Sequence, residues 1–153
     1  MINFEGSRTF SLPISLVASK LSDAGFLVNC LPDTEVIEAT PDKAAWKLRP
    51  KLSYLTGTLN SEITAIEREP GKSVTFKVFS KVMGASSTVV TSLKFREAEG
   101  GSTTIVDWTG QLTEVTGMLK AIPKGLLQGT SQKVIEDVWA AVTAQLEKEN
   151  KSN

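Results

Sequence analysis

Few side chains in this sequence combine the type and the placement that proton-transfer or covalent chemistry needs. Histidine is absent. That removes a Ser-His-Asp triad, a Cys-His pair, the histidine-containing zinc sites and a histidine general base, because neutral imidazole is the side chain best matched to proton transfer near pH 7. Cys30 is the only cysteine. It has no partner for an internal disulfide, and with no histidine or adjacent cysteine nothing lowers its pKa toward a nucleophilic thiolate, so it reads as a small hydrophobe at a chain corner. Glu114 follows Leu112 on the inward phase of a strand, where a base at a pocket mouth would stand. Strand ends are commonly wet, however, and the solvated reading is preferred. Glu67, Glu69, Glu97 and Glu99 flank turns and read as solvated, and Asp33 has no carboxylate partner nearby in sequence. Arg8 falls in phase with Phe4 and Phe10. An unpaired buried guanidinium is costly, so a bulge that turns Arg8 to solvent is preferred over an interior anion anchor. No catalytic residue, metal site or cofactor is predicted.

Recognition by apolar surface is the chemistry left. Trp46, Trp108 and Trp139 can form aromatic walls for a flat ligand, or simply fill a core. Trp139 lies on a helical stripe between Ile135 and Val142 and reads as core; for Trp46 and Trp108 both readings stay open.

The elements that would position them are legible from periodicity. From Thr34 to Val115 the chain alternates and is punctuated by TPDK, EPGK, MGAS and AEGG. Proline followed by glycine in Glu69-Pro70-Gly71-Lys72 suits a tight turn, and the four punctuation points predict hairpins in an antiparallel meander. Inward positions on successive strands are Trp46 and Leu48; Leu59, Ser61 and Ile63; Val74, Phe76 and Val78; Val89, Thr91, Leu93 and Phe95; and Val106, Trp108, Gly110 and Leu112. Their neighbours are mostly polar, as expected for a sheet wet on one face. Before the meander, Phe4 to Leu12 reads as a strand, Pro13 as the first residue of a short helix, and Asp23 as the cap of a second. After it, Val134, Ile135, Val138, Trp139, Val142 and Leu146 recur at three- and four-residue steps, the mark of an amphipathic helix laid on the sheet. The layout is α+β: about seven antiparallel strands, two short helices after the first strand, and a long C-terminal helix. One domain over residues 1–148 and a polar, fraying tail over 149–153 are predicted.

Composition bounds the partners. Seventeen basic residues balance seventeen acidic ones, and without a basic cluster nucleic acid is excluded as a partner on electrostatic grounds. No run of 18 apolar residues is present, so no integral membrane segment is predicted. The N-terminus MINFEGSRTF lacks the charged and apolar regions of a secretory signal, giving a cytoplasmic expectation.

Three segments carry a family resemblance: FEGSRTFSLP near the start, DAGFLVNCLPDTEVIE from Asp23 to Glu38, and GSTTIVDWTGQLTEVTGMLKAIPKGLL from Gly101 to Leu127. The arrangement resembles the helix-grip fold of the START-like, Bet v 1-like (SRPBCC) superfamily. Within it the chain is most similar to the carbon monoxide dehydrogenase CoxG family, whose Cys-Leu-Pro-Gly corner reads Cys30-Leu31-Pro32-Asp33 here. The resemblance implies a curved sheet wrapped around the long helix, with an internal hydrophobic cavity. It also implies a partnership with molybdenum hydroxylase subunits of the carbon monoxide dehydrogenase type. Family members that dock on membranes carry a further C-terminal segment, and an end at Asn153 gives the expectation of no such anchor.

Periodicity does not distinguish a filled core from an open cavity, since both show apolar inward residues. With a cavity, its walls are predicted to be Trp46, Leu48, Leu59, Ile63, Phe76, Val78, Val89, Thr91, Leu93, Val106, Trp108 and Leu112. Gly117 to Thr130, GMLKAIPKGLLQGT, mixes apolar residues with helix-weakening glycines. It is predicted to turn at Gly117, to begin the long helix at Pro123, and to supply an adaptable lid from Met118, Leu119, Ile122 and Leu126. Close packing of Gly125 and Gly129 against the sheet is the rival explanation of that composition. Three functions follow from these readings: a carrier of a hydrophobic small molecule such as a lipid, isoprenoid or quinone; an accessory protein for a molybdenum hydroxylase; and a cofactor-free cyclase or dehydratase, which needs a polar pair among the inward residues.

Overall fold

The computed structural model describes residues 2–49 and 57–152. Strand β1 (Ile2–Phe10) leads into helices α1 (Ile14–Leu21) and α2 (Ala24–Cys30), followed by β2 (Glu35–Ala39), β3 (Lys43–Leu48), β4 (Leu59–Glu69), β5 (Ser73–Val82), β6 (Ala85–Ala98) and β7 (Thr103–Thr116). A 3-10 turn over Gly117–Ala121 then delivers the chain to α3 (Lys124–Ser152). The strands form one seven-stranded sheet in the order β1-β7-β6-β5-β4-β3-β2, antiparallel throughout. The first strand thus lies beside the last, and β1 and β2 are the two edges.

All four predicted turns connect neighbouring strands. At Gly71 φ is 77° and the Lys72 N–H donates to the Glu69 carbonyl at 2.9 Å, while Met83 and Gly84 both take positive φ between Val82 and Ala85, as a two-residue hairpin requires. Pro13 and Pro123 each stand one residue before their helix, closing the first turn through their carbonyls: Val17 donates to Pro13 at 3.1 Å and Leu127 to Pro123 at 3.0 Å. Asp23 caps α2 by accepting from the Phe26 N–H at 3.1 Å. Asp33, at the place of the family's glycine, has φ of 53°. That left-handed conformation is what glycine adopts most easily and aspartate tolerates better than most residues, which accounts for the altered corner motif. α3 continues helical through Ser152, beyond the point where the polar tail was expected to fray, and Glu149 on it pairs with Lys20 of α1 at 3.4 Å.

Candidate functional site

Register sorts the inward side chains into rungs across the sheet. The first holds Arg8, Val106 and Phe95; the second Gly6, Trp108, Leu93, Val74 and Arg68; the third Phe4, Gly110, Thr91, Phe76 and Ala65. The fourth holds Ile2, Leu112, Val89, Val78, Ile63 and Ala44, and the fifth Val115, Ser87, Ser80, Ser61 and Trp46. Ala85, Val82, Leu59 and Leu48 close the sixth.

Burial is uneven along these rungs. At the first two, Val106, Phe95, Leu93, Val74 and Trp108 are all buried, sealed by Phe10, Val17, Leu21 and Val28 and by Trp139, Val142 and Leu146 of α3. From the third rung on, Thr91, Ala65, Val78, Val89, Ser80, Ser87, Val115, Leu48 and Leu59 stay half-exposed although they point to the concave side. α3 explains the difference. It starts beside the sixth rung, where Ile122 packs on the Val82, Ala85 and Leu119 cluster, and reaches the first two rungs at Trp139. No residue from Lys124 to Val138 is buried, and Leu126 and Val134 are 50% and 51% exposed. The second half of the helix buries Trp139, Val142 and Leu146 in the core, whereas the first half meets it only through the partly buried Leu127, Ile135 and Val138.

Of the predicted walls, Trp46, Ile63, Phe76, Leu93, Val106, Trp108 and Leu112 are buried, and Leu48, Leu59, Val78, Val89 and Thr91 are half-exposed, all on inward rungs. Of the predicted lid, Leu119 is buried on Val82 and Ala85 and Ile122 packs beside it, while Met118 and Leu126 are 52% and 50% exposed. Gly117, at φ of 64°, lies so close to the β5–β6 turn that a Cβ there would collide with the Gly84 carbonyl oxygen and stand 2.9 Å from the Ala85 Cα. A Cβ on Gly125 or Gly129 would meet nothing within 4 Å. That removes the rival explanation: these glycines are not packed on the sheet, and their effect is to weaken the helix.

Two sequence readings are corrected. Arg8 does not turn to solvent; it pairs across from Val106 on the inner face, with its guanidinium 5.8 Å from the centre of the Trp139 ring. The aromatic face supplies part of the stabilisation that a solvent position would have given. Glu114 is not inward. The β6–β7 register shifts between Thr88 and Val89, so Thr113 is bulged, Val115 takes the inward place beside Ser87, and Glu114 is exposed opposite Thr88. A bulge leaves no mark in hydrophobic alternation short enough to read at a strand end.

The inner wall is apolar apart from hydroxyls. The Ser61 and Ser80 hydroxyls lie 2.8 Å apart on the fifth rung, and the Thr91 hydroxyl donates to the Thr109 carbonyl at 2.7 Å. Among the described residues, Arg8 and Arg68 are the ionisable side chains on these rungs and no carboxylate stands there, so the inner face offers no acid-base pair of the kind a cyclase or dehydratase needs. Cys30, half-buried beside Glu149, has its pKa pushed up to about 11, first by burial and then by the negative charge of Glu149. It is a thiol at neutral pH and not a nucleophile. Among the described residues no cluster of three or more acidic or thiol side chains could hold a metal ion, and no helix is long and apolar enough to cross a membrane.

This arrangement, a long C-terminal helix with a curved seven-stranded antiparallel sheet, has counterparts. Residues 6–147 match the family model for CoxG, a carbon monoxide dehydrogenase subunit. The chain belongs to the CoxG family. A solved structure of a conserved protein from Geobacillus kaustophilus is similar at a TM-score of 0.82 and 20% identity, covering 96% of both chains. A START superfamily protein from Mycobacterium smegmatis aligns at a TM-score of 0.67 and 8% identity, over 95% of this chain and 97% of that one. An aromatase/cyclase from Streptomyces sp. R1128 aligns at 0.64 and 14% identity, over 96% and 94%. At such identities these likenesses establish the START-like fold alone. No curated protein matches the sequence.

Proposed function

We propose that this CoxG family member is a non-enzymatic carrier that holds a hydrophobic small molecule, lipid-, isoprenoid- or quinone-like, between the first half of α3 and the third to sixth rungs. The observation that carries the reading is the change in burial along one continuous inner face. Leu48, Val78 and Val89 are apolar, inward and only partly buried, on rungs that face the first half of α3, none of whose side chains is fully buried. Apolar surface left open in a concavity gains about 25 cal/mol per Å2 when a ligand covers it. The turn at Gly117–Ala121 and the first turn of α3, with Met118, Leu119, Ile122 and Leu126, act as the movable cover.

Native mass spectrometry of the protein as purified, and again after gentle organic extraction and reloading with mixed lipids and quinones, tests this. One apolar molecule retained per chain is the expected result. A protein that is empty as purified and takes up none of the offered molecules would overturn the carrier reading.

Family membership favours a second, compatible role: the loaded protein serves a molybdenum hydroxylase of the carbon monoxide dehydrogenase type as an accessory or recruitment factor. The genomic neighbourhood should then encode the large, medium and small hydroxylase subunits, and their absence would demote this role without touching the first.

A further inference from the structure

On the two sealed rungs, next to the half-exposed third, the inner face carries hydrogen-bond donors with no acceptor. Arg8 is half-buried, and its guanidinium lies over the Trp139 ring but makes no ion pair or hydrogen bond with any described residue. Two residues away on the same face of β1, Gly6 lies under the edge of Trp108: a Cβ at Gly6 would stand 2.8 Å from Cζ2 and 3.0 Å from Nε1 of that indole. Trp108 is 8% exposed, and its Nε1–H, fully covered, has no hydrogen-bond partner. Buried donors are ordinarily satisfied, so a cation and an indole N–H that both lack an acceptor, on adjacent rungs and both against Trp139, mark a place where an acceptor is missing. The next inward residue on β7 is Gly110, where a Cβ would approach only Phe4, at 3.9 Å. The floor between this corner and half-exposed Thr91 is therefore low.

We propose that Arg8 and Trp108 form a head-group site for an oxyanion, so that the molecule held in the concavity is an anionic amphiphile: a carboxylate or phosphate ester facing Arg8, with its apolar tail running over Gly110 toward Val89 and Val78. A guanidinium presents a fork of donors matched to carboxylate and phosphate oxygens, and the missing counter-charge favours an anion over a neutral carbonyl or alcohol. The other charged side chain on the inner rungs among the described residues, Arg68 at the far end of the second rung, is already committed to Asp42 and to the Ser22 and Pro41 carbonyls, so Arg8 is the inner cation left without an acceptor. The inference rests on the carrier reading and narrows it.

Displacement of Nile red, a neutral apolar dye, by dodecanoate, dodecyl phosphate and 1-dodecanol separates the two. The wild-type chain is expected to bind both anions at least about 10-fold more tightly than the alcohol, since a hydrogen bond to a charged group is worth about that factor or more. Arg8→Gln should abolish the preference while leaving 1-dodecanol within about twofold, Arg8→Lys should keep part of it, and Trp108→Phe should weaken the anions several-fold, with circular dichroism confirming the fold of each. Whichever anion binds tighter identifies the source of the head group. Equal loss of anions and alcohol in Arg8→Gln would assign Arg8 to packing and overturn the proposal, as would a wild-type preference for the alcohol. Failure of the dye and all three competitors to bind would instead sink the carrier reading, and this inference with it.

Discussion

Gly117 shows how much one residue decides here. With φ of 64° and the Gly84 carbonyl oxygen and Ala85 Cα where a side chain would go, both backbone conformation and space demand glycine. Gly117→Ala should destabilise the fold by at least about 2 kcal/mol in urea unfolding, since relief requires moving backbone and not a flexible side-chain tip. A change under about 0.5 kcal/mol would show that the β5–β6 turn yields freely. Cys30 gives a pH-dependent test. Its folded pKa of about 11 lies above the ordinary thiol value of 9.0. Above about pH 9 the unfolded thiol gives up its proton while the native one keeps it, so its contribution to stability is complete below that value and is lost as pH rises through about 11. Cys30→Ser should flatten the stability profile over that window, and iodoacetamide should alkylate native Cys30 far more slowly at about pH 8 than the denatured chain. Equal alkylation rates would refute the burial argument.

At the scale of elements, α3 is two helices in one. Its second half is fixed by Trp139, Val142 and Leu146 in the core, and its first half holds Gly125 and Gly129 with open space around each. Amide exchange around Leu126 should be faster than around Val138, because few buried contacts and two glycines lower the local opening free energy. Gly125→Ala and Gly129→Ala should each stabilise the chain by about 0.5–1 kcal/mol in thermal or urea melts, having nothing to collide with. If the cover must open to admit ligand, the double variant should also load more slowly in stopped-flow Nile red binding. Unchanged loading would confine the glycines to stability and leave the lid without support.

For the whole molecule, the expected signature is stabilisation by a molecule that fits the concavity. Ligand at a hundred times its dissociation constant adds about 2.7 kcal/mol to unfolding free energy, enough to raise the melting temperature of a domain this size by several degrees. Extraction of a co-purified lipid should lower the melting temperature, and reloading should restore it. A melting temperature indifferent to both would show that nothing binds the native state preferentially.

The strands, turns and inward faces were legible in the sequence, because alternation and turn residues are local rules obeyed wherever one sheet face is dry. Trp46, Phe76, Val106 and Leu112 could be placed inside on that basis. Chain order in the fold and family membership were legible too, through the Cys30-Leu31-Pro32 corner and the stretch into Gly117. Tertiary structure alone decided what lies across from what. A one-residue bulge beside Leu112 reversed Glu114, and the proximity of Trp139, far away in the chain, held Arg8 inward. Whether the concavity is filled depends on how far the helix stands from the sheet, a distance between elements that no periodicity encodes. The sequence determined which residues face the centre; the placement of the helices determined which of them are covered.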